Sequence, residues 1–287
     1  MHSAMPTRAE FAAAIATRLR ADAPQLARAF AQAQPVRHFV VDGLLPADWL
    51  RAVAAAFPRP EQLLLKRSLR EHKRVGVAVE RYHASIGDLL FAFQDPGVVA
   101  AVAAITGIAG LEPDPTLYAS GISVMGKGDF LNPHLDNSHD GDQRHYRVLN
   151  LLLYTAPDWD PADGGNLELW PVDRRAPRTI DARFARLVVM ETGPRSWHSV
   201  SRVRADRARL CVSNYYFAAA SSSGHDYRHV TTFAGRPEEP LKRALLAADA
   251  LLRNALGRAF PRLLQRGPHR RDAADRDATD RDATVGP

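Results

Sequence analysis

The chain of 287 residues predicts a mainly β fold with flanking helices (α+β), its core an antiparallel sandwich or barrel. Three observations carry this. Helical periodicity is confined to the two ends of the chain. Between them, from Leu117 onward, short β-rich runs alternate with turn residues. These runs lack the intervening amphipathic helices that parallel βαβ units require.

In order, Phe11, Ile15, Leu19, Leu26 and Phe30 recur at helical spacings and Pro35 stops the pattern, so residues 1–34 form an N-terminal helical extension. Phe39, Val40 and Val41, closed by Asp42-Gly43, read as a strand, and residues 46–53 as a helix with proline in its first turn. Asp95 and Pro96 open another helix over 98–105, ended by Gly107. The β-rich runs are 117–125, 148–155, 166–170, 186–190, 197–200 and 209–217, with turns at 126–129, 158–165, 173–178, 193–194 and 204–207. Residues 35–236 are read as one domain. Residues 237–266 follow as a C-terminal helix with Leu241, Leu245, Ala248, Leu252, Leu256 and Phe260 on one face. The remaining 267–287 are a low-complexity tail, whose five-residue Arg-Asp-Ala repeat over 271–284 has no large apolar residue. Burial cannot offset its ordering entropy, so disorder is expected there.

Composition narrows the class. Apolar residues at 46% and charged residues at 24% lie near globular averages. No apolar run approaches the roughly 18 residues of a membrane helix, so no membrane partner is expected. The net charge of +6 is modest and dispersed, and nucleic acid is not an expected partner. The lone Cys211 cannot form an internal disulfide. Residues 1–30 interrupt their apolar residues with charges and so lack a secretory signal, which makes a cytoplasmic location the expectation.

The chemistry-bearing segment runs from Phe130 to Asp136. If 134–136 is extended, alternation turns His134 and Asp136 to the same side. A second imidazole, His198, comes 64 residues after His134 (198 minus 134). Two histidines and one carboxylate on one side of an ion suit non-haem Fe(II) and leave positions open for substrate and oxygen. By itself His-x-Asp is weak, because a surface hydrogen-bonding pair has the same signature. The run 209–217 adds weight by alternating Arg209, Cys211, Ser213 and Tyr215 onto one face. An arginine opening an apolar strand is costly to bury without an anion. A dicarboxylate offers its planar fork that anion. The apolar run 148–154 puts Asn150 and Tyr154 on one face, where a phenol can donate to the same carboxylate.

The ordered set of motifs is more specific than any member. His134-x-Asp136 is followed by Tyr154 with Asp158-Trp159, then by residues 164–170, by Trp197-His198-Ser199-Val200, and by Arg209 with Tyr215-Tyr216-Phe217. Over roughly 39–217 it resembles the prolyl-4-hydroxylase-type branch of the Fe(II)/2-oxoglutarate-dependent dioxygenases. That resemblance implies a double-stranded β-helix, or jelly roll, as the core. It implies Fe(II) held by His134, Asp136 and His198, with 2-oxoglutarate held at its far carboxylate by Arg209 with help from Tyr154. It further implies O2 as cosubstrate, with ascorbate as a supporting reductant. The reaction implied is hydroxylation of an unactivated C–H of a peptidyl proline, amino acid or small metabolite, with release of succinate and CO2. Two departures stand out. The branch commonly places its arginine about nine residues after the second histidine, where Arg207 stands in a charged turn; Arg209 is favoured because it opens the apolar alternation. Near Met125 many relatives carry a tyrosine, and a thioether cannot hydrogen-bond as a phenol does.

Other features have plainer readings. Residues 136–141 mimic the start of a calcium loop, but its twelfth position is Arg147 instead of glutamate, so 139–145 read as a polar loop over the site mouth. Lys66, Arg67, Arg70, Lys73 and Arg74 form a basic cluster, ordinarily a solvated face and, more sharply, a dock for an anionic substrate. Ser196 lacks a nucleophile elbow. Cys211 reads as a small buried apolar group, and Trp159, Trp170 and Trp197 as core aromatics. The expected partner is a small-molecule or peptide substrate. The rival reading from another class is a metal-binding jelly roll without turnover, a sensor or inactivated relative, which has no need of Arg209.

Overall fold

The computed structural model describes residues 5–259; the expected tail at 267–287 and the end of the expected C-terminal helix, with Phe260, lie outside these residues. Two helices, α1 (Arg8–Ala21) and α2 (Ala23–Gln32), occupy the N-terminal extension where the periodicity suggested one. Pro24 explains the break. In the first turn of α2 its missing N–H costs nothing, whereas inside a continuous helix it would forfeit the bond to Arg20. Next come β1 (His38–Val41), α3 (Ala47–Ala55), a hairpin of β2 (Leu64–Arg67) and β3 (Glu71–Gly76), α4 (Ala84–Ala92) and α5 (Pro96–Thr106). Asp95 caps α5 by accepting from Gly97 N–H at 2.8 Å. The strands continue as β4 (Glu112–Pro113), β5 (Gly121–Met125), β6 (Phe130–Leu135), β7 (Tyr146–Tyr154) and β8 (Leu167–Leu169). After these come β9 (Arg178–Ile180), β10 (Leu187–Glu191), β11 (His198–Val200), β12 (Arg209–Ala218) and β13 (Thr232–Phe233), before α6 (Pro240–Ala259).

The strands make one curled antiparallel sheet in the order β1-β10-β7-β12-β5-β3-β6-β11-β8-β9, the jelly-roll core with flanking helices. β3 turns the corner: Arg74 to Gly76 pair with β5, and Glu71 and His72 pair with β6. One wall is therefore β1-β10-β7-β12-β5 and the other β6-β11-β8-β9.

Alternation divides the core. Leu149, Leu151 and Leu153 on β7, Leu187 and Val189 on β10, and Val212 and Tyr216 on β12 join Phe11, Ile15, Leu19, Leu89 and Val102 of the helices. The interleaved Leu152, Tyr154, Val188, Met190 and Cys211 point between the walls and meet Leu131, Leu167, Leu169 and Val200. A strand buried on both faces reads as a continuous apolar run, and β7 does. Helices thus cover the outer face and leave the inner one to the site.

Of the stripe expected on the C-terminal helix, Leu241, Leu245 and Ala248 face outward. Leu241 is 79% and Leu245 55% exposed, while Leu246 is buried, so α6 docks through a different face. The Arg70 guanidinium also grips Asp249 of α6 in a two-pronged ion pair. Among the described residues no single helix is long and apolar enough to cross a membrane.

Tyr216 is fully buried and donates its hydroxyl to the Phe93 carbonyl at the end of α4, tying sheet to helix. Tyr216→Phe keeps the ring and removes this bond. The expected loss is about 1 to 3 kcal/mol, seen as a lower urea midpoint at unchanged m-value.

Candidate active site

β6 and β11 run antiparallel with His134 and His198 as direct partners, so their rings stand side by side with centroids 4.1 Å apart. Asp136 follows the end of β6 and turns its carboxylate to the same side. Its Oδ1 is 3.7 Å from His134 Nε2, and its Oδ2 is 3.7 Å from His198 Nε2. The candidate ligand atoms all lie within 4.8 Å of one another, and no other such cluster of His, Cys, Asp or Glu occurs among the described residues.

Each imidazole is aimed by its own strand. His134 Nδ1 lies 3.0 Å from the Asn132 carbonyl, and His198 Nδ1 lies 2.9 Å from that of Ser196. A carbonyl only accepts, so Nδ1 carries the proton and Nε2 presents its lone pair to the centre. Burial, reinforced by the neighbouring His198, pushes His134 down to about 3 and keeps it neutral. Burial alone would push the Asp136 carboxyl up. Arg147, His198 and His134 together overcome that and hold it well below the usual carboxylate range. Its Oδ2 is nonetheless buried without a hydrogen-bond partner, a cost that a cation among the three groups removes.

Arg147 stands out in the sequence only as the residue that spoils a calcium loop. Here its Nη1 lies 3.5 Å from Asp136 Oδ1 and its guanidinium 4.3 Å from the Tyr215 ring centroid. Phe233 of β13 stacks on His134 with centroids 5.2 Å apart. Neither contact has a signature in local periodicity.

The cluster faces a cavity of about 380 Å³. Arg209 lines it, 3% exposed, and makes no ion pair among the described residues. Its Nη1 meets the Met125 thioether at 3.8 Å, its Nε has no partner, and its guanidinium lies 4.8 Å from the Tyr154 ring centroid. Two glycines make room. Gly164 (φ +77°) carries no Cβ that would come within 2.1 Å of the Arg202 carbonyl, and Gly165 (φ +67°) none within 2.7 Å of Arg209 Cδ.

Arg207 lies elsewhere, exposed and paired with Asp163 and the Asp158 carbonyl. Tyr154 supports Arg209 without standing on the cavity wall; burial pushes its hydroxyl up to about 12, against the pull of the neighbouring Arg209 guanidinium. Residues 139–145 do not line the cavity either. Asp140 turns that loop on itself, accepting from Arg144 N–H at 2.8 Å and facing His145 Nδ1 at 3.0 Å. Lys66, Glu71 and Lys73 of the β2–β3 hairpin supply the cavity's charged wall.

Residues 120–217 match the sequence model of the 2OG-Fe(II) oxygenase superfamily. Prolyl 3-hydroxylase OGFOD1 of Xenopus laevis is 34% identical over 84 residues, 27% of this chain and 16% of that protein. Its Mus musculus counterpart is 28% identical over 116 residues, 38% of this chain and 20% of that protein. The chain thus spans a small part of the length of these curated relatives. Two crystal structures share the fold. A prolyl-4-hydroxylase of Pseudomonas putida has a TM-score of 0.52 at 21% identity, covering 67% of this chain and 98% of that one. Prolyl 4-hydroxylase of Phytophthora capsici has a TM-score of 0.52 at 17% identity, covering 88% of this chain and 78% of that one. Residues 120–217 are thus similar to the 2OG-Fe(II) oxygenase superfamily. That superfamily's description implies Fe(II), 2-oxoglutarate and O2 as metal and cosubstrates.

The full chain is expected to take up one divalent ion per molecule. Asp136→Ala and His198→Ala should each lose it, as read by metal content after gel filtration; metal retained by both would exclude this triad.

Proposed function

We propose that this chain is an Fe(II)- and 2-oxoglutarate-dependent dioxygenase that hydroxylates an unactivated C–H bond and releases succinate and CO2. One observation carries the reading. The His134–Asp136–His198 cluster shares its cavity with a buried guanidinium, Arg209, that has no anionic partner among the described residues. A metal-binding protein without turnover has a use for the cluster and none for Arg209. Peptidyl proline heads the substrate classes, because the relatives named above are prolyl hydroxylases; a free amino acid or small metabolite is the other class. Ascorbate serves as a supporting reductant.

Fe(II) held by His134, Asp136 and His198, with 2-oxoglutarate held at its far carboxylate by Arg209, supplies oxidative decarboxylation and oxygen insertion when bound. The protein's share is orientation and charge. The backbone-anchored Nδ1–H groups of His134 and His198 fix both Nε2 lone pairs inward. Arg147 keeps Asp136 ionised and directed to the centre. The Arg209 fork donates two parallel hydrogen bonds to a carboxylate, with the Tyr154 ring behind it as a positioning surface. Met125, Leu131, Leu152, Leu167 and Val200 line the cavity and keep water from competing for that ion pair.

Succinate formed from 2-oxoglutarate in the presence of Fe(II), ascorbate and air tests the reading, with activity returning to metal-free protein on adding iron and not zinc. Asp136→Ala should abolish it; full turnover in this variant removes Asp136 from the site. Arg209→Ala is expected to raise the 2-oxoglutarate requirement roughly tenfold or more, the weight of a charged hydrogen bond. Gly165→Ala should act in the same direction, because its new methyl group displaces Arg209 Cδ. If Arg207→Ala raises the requirement and Arg209→Ala does not, the anchor is misassigned.

A further inference from the structure

The β2–β3 hairpin presents an unusual pair. Lys66 and Lys73 are direct Cα partners across the ladder, and both side chains line the cavity. Like charges directly opposite each other on one face destabilise a hairpin. Glu71, two residues before Lys73 on the same strand, offsets one of them, with Oε2 3.2 Å from Lys73 Nζ. Lys66 makes no ion pair or hydrogen bond among the described residues. Burial pushes the Lys66 ammonium down and the facing Lys73 pushes it further, against the pull of Glu71 and Asp136. Of the remaining basic cluster, Arg70 is neutralised by Asp249, and Arg67 and Arg74 do not reach the cavity.

The charge of the whole wall points the same way. Setting the Arg70–Asp249 pair aside, Lys66, Lys73, Arg147 and Arg209 face two carboxylates, Glu71 and Asp136. A ferrous ion and a 2-oxoglutarate dianion cancel each other, so the positive excess persists in the loaded site. The volume of about 380 Å³ is near the low end for ligand sites, and it must hold 2-oxoglutarate as well. A compact anionic group fits it.

We propose that the substrate carries a carboxylate or phosphate beside its reacting carbon, and that Lys66 and Lys73 bind this group on the β2–β3 wall. The proposal rests on the dioxygenase reading for the word substrate; the anion site itself rests on the lysine pair.

The test uses the full chain loaded anaerobically with Fe(II) and saturating 2-oxoglutarate, so that nothing turns over. N-acetylaspartate and inorganic phosphate should raise its melting temperature, and neutral N-acetylasparagine should not. Lys66→Gln and Lys73→Gln should each lose the response, and Lys66→Arg should keep it. An equal response in the glutamine variants, or none in the unaltered chain, overturns the proposal. Succinate release in air then separates the sources, using free amino acids against their methyl esters and prolyl-aspartate peptides against prolyl-asparagine ones. Stimulation by the acids or by the acidic peptides identifies the anion's origin, with about a tenfold rise in half-maximal concentration in Lys66→Gln. Equal stimulation by the neutral partners overturns the proposal. Absence of succinate from every mixture, with the anion response intact, overturns the dioxygenase reading and leaves the lysine pair as an anion site.

Discussion

The register between β6 and β11 is the constraint on which the site depends. His134 and His198 meet because those two short strands pair with these residues opposite each other, and β8 holds β11 from its other side, pairing Leu169 with His198. Trp170 reinforces that grip by donating Nε1–H to Ser199 Oγ at 2.7 Å and its backbone N–H to the Trp197 carbonyl at 2.8 Å. A slip of one residue would turn an imidazole to the opposite face of the sheet. Asp136 escapes the ladder by lying just past the end of β6, which frees its carboxylate to swing to the histidines.

Charge is arranged along the cavity as deliberately as shape. Its acidic end is one carboxylate between two imidazoles, held ionised with the help of Arg147. A separate guanidinium, Arg209, stands without an acid among the described residues and is backed by an aromatic face. An interior guanidinium left this way is costly on its own. Its retention makes sense when a ligand completes it, and the same logic applies to the opposed lysines of the hairpin.

Much of this was legible in the residues and some was not. Alternation separates the faces of β7 and β12, where Asn150 on β7 and Arg209 and Ser213 on β12 mark the side that lines the cavity. The apposition of His134, Asp136 and His198 rested on a motif whose strand β6 is too polar to stand out by periodicity. The β2–β3 hairpin shows in the sequence as a basic cluster and not as strands, since Glu71 and Lys73 face inward while His72 and Arg74 occupy the alternate positions, leaving no apolar period to count. The break at Asp22 was hidden by an apolar spacing that continues across it, and Pro24 was the overlooked signal. For α6 the leucine stripe was visible, but a stripe does not say what surface it meets. Arg147 had no local signature, its role being set by a partner on another strand.

Glu168 of β8 is buried beneath β11, where it accepts from the Ser199 hydroxyl and from both ends of the Arg236 guanidinium, at 3.2 and 2.6 Å. Arg236 lies beyond residues 120–217, as does Phe233 on the His134 ring. A graft confined to the recognisable oxygenase stretch would therefore strand a carboxylate in an apolar setting directly under a candidate metal ligand. The stretch at 120–217 is not portable by itself: its boundary in folding terms runs well past its boundary in homology.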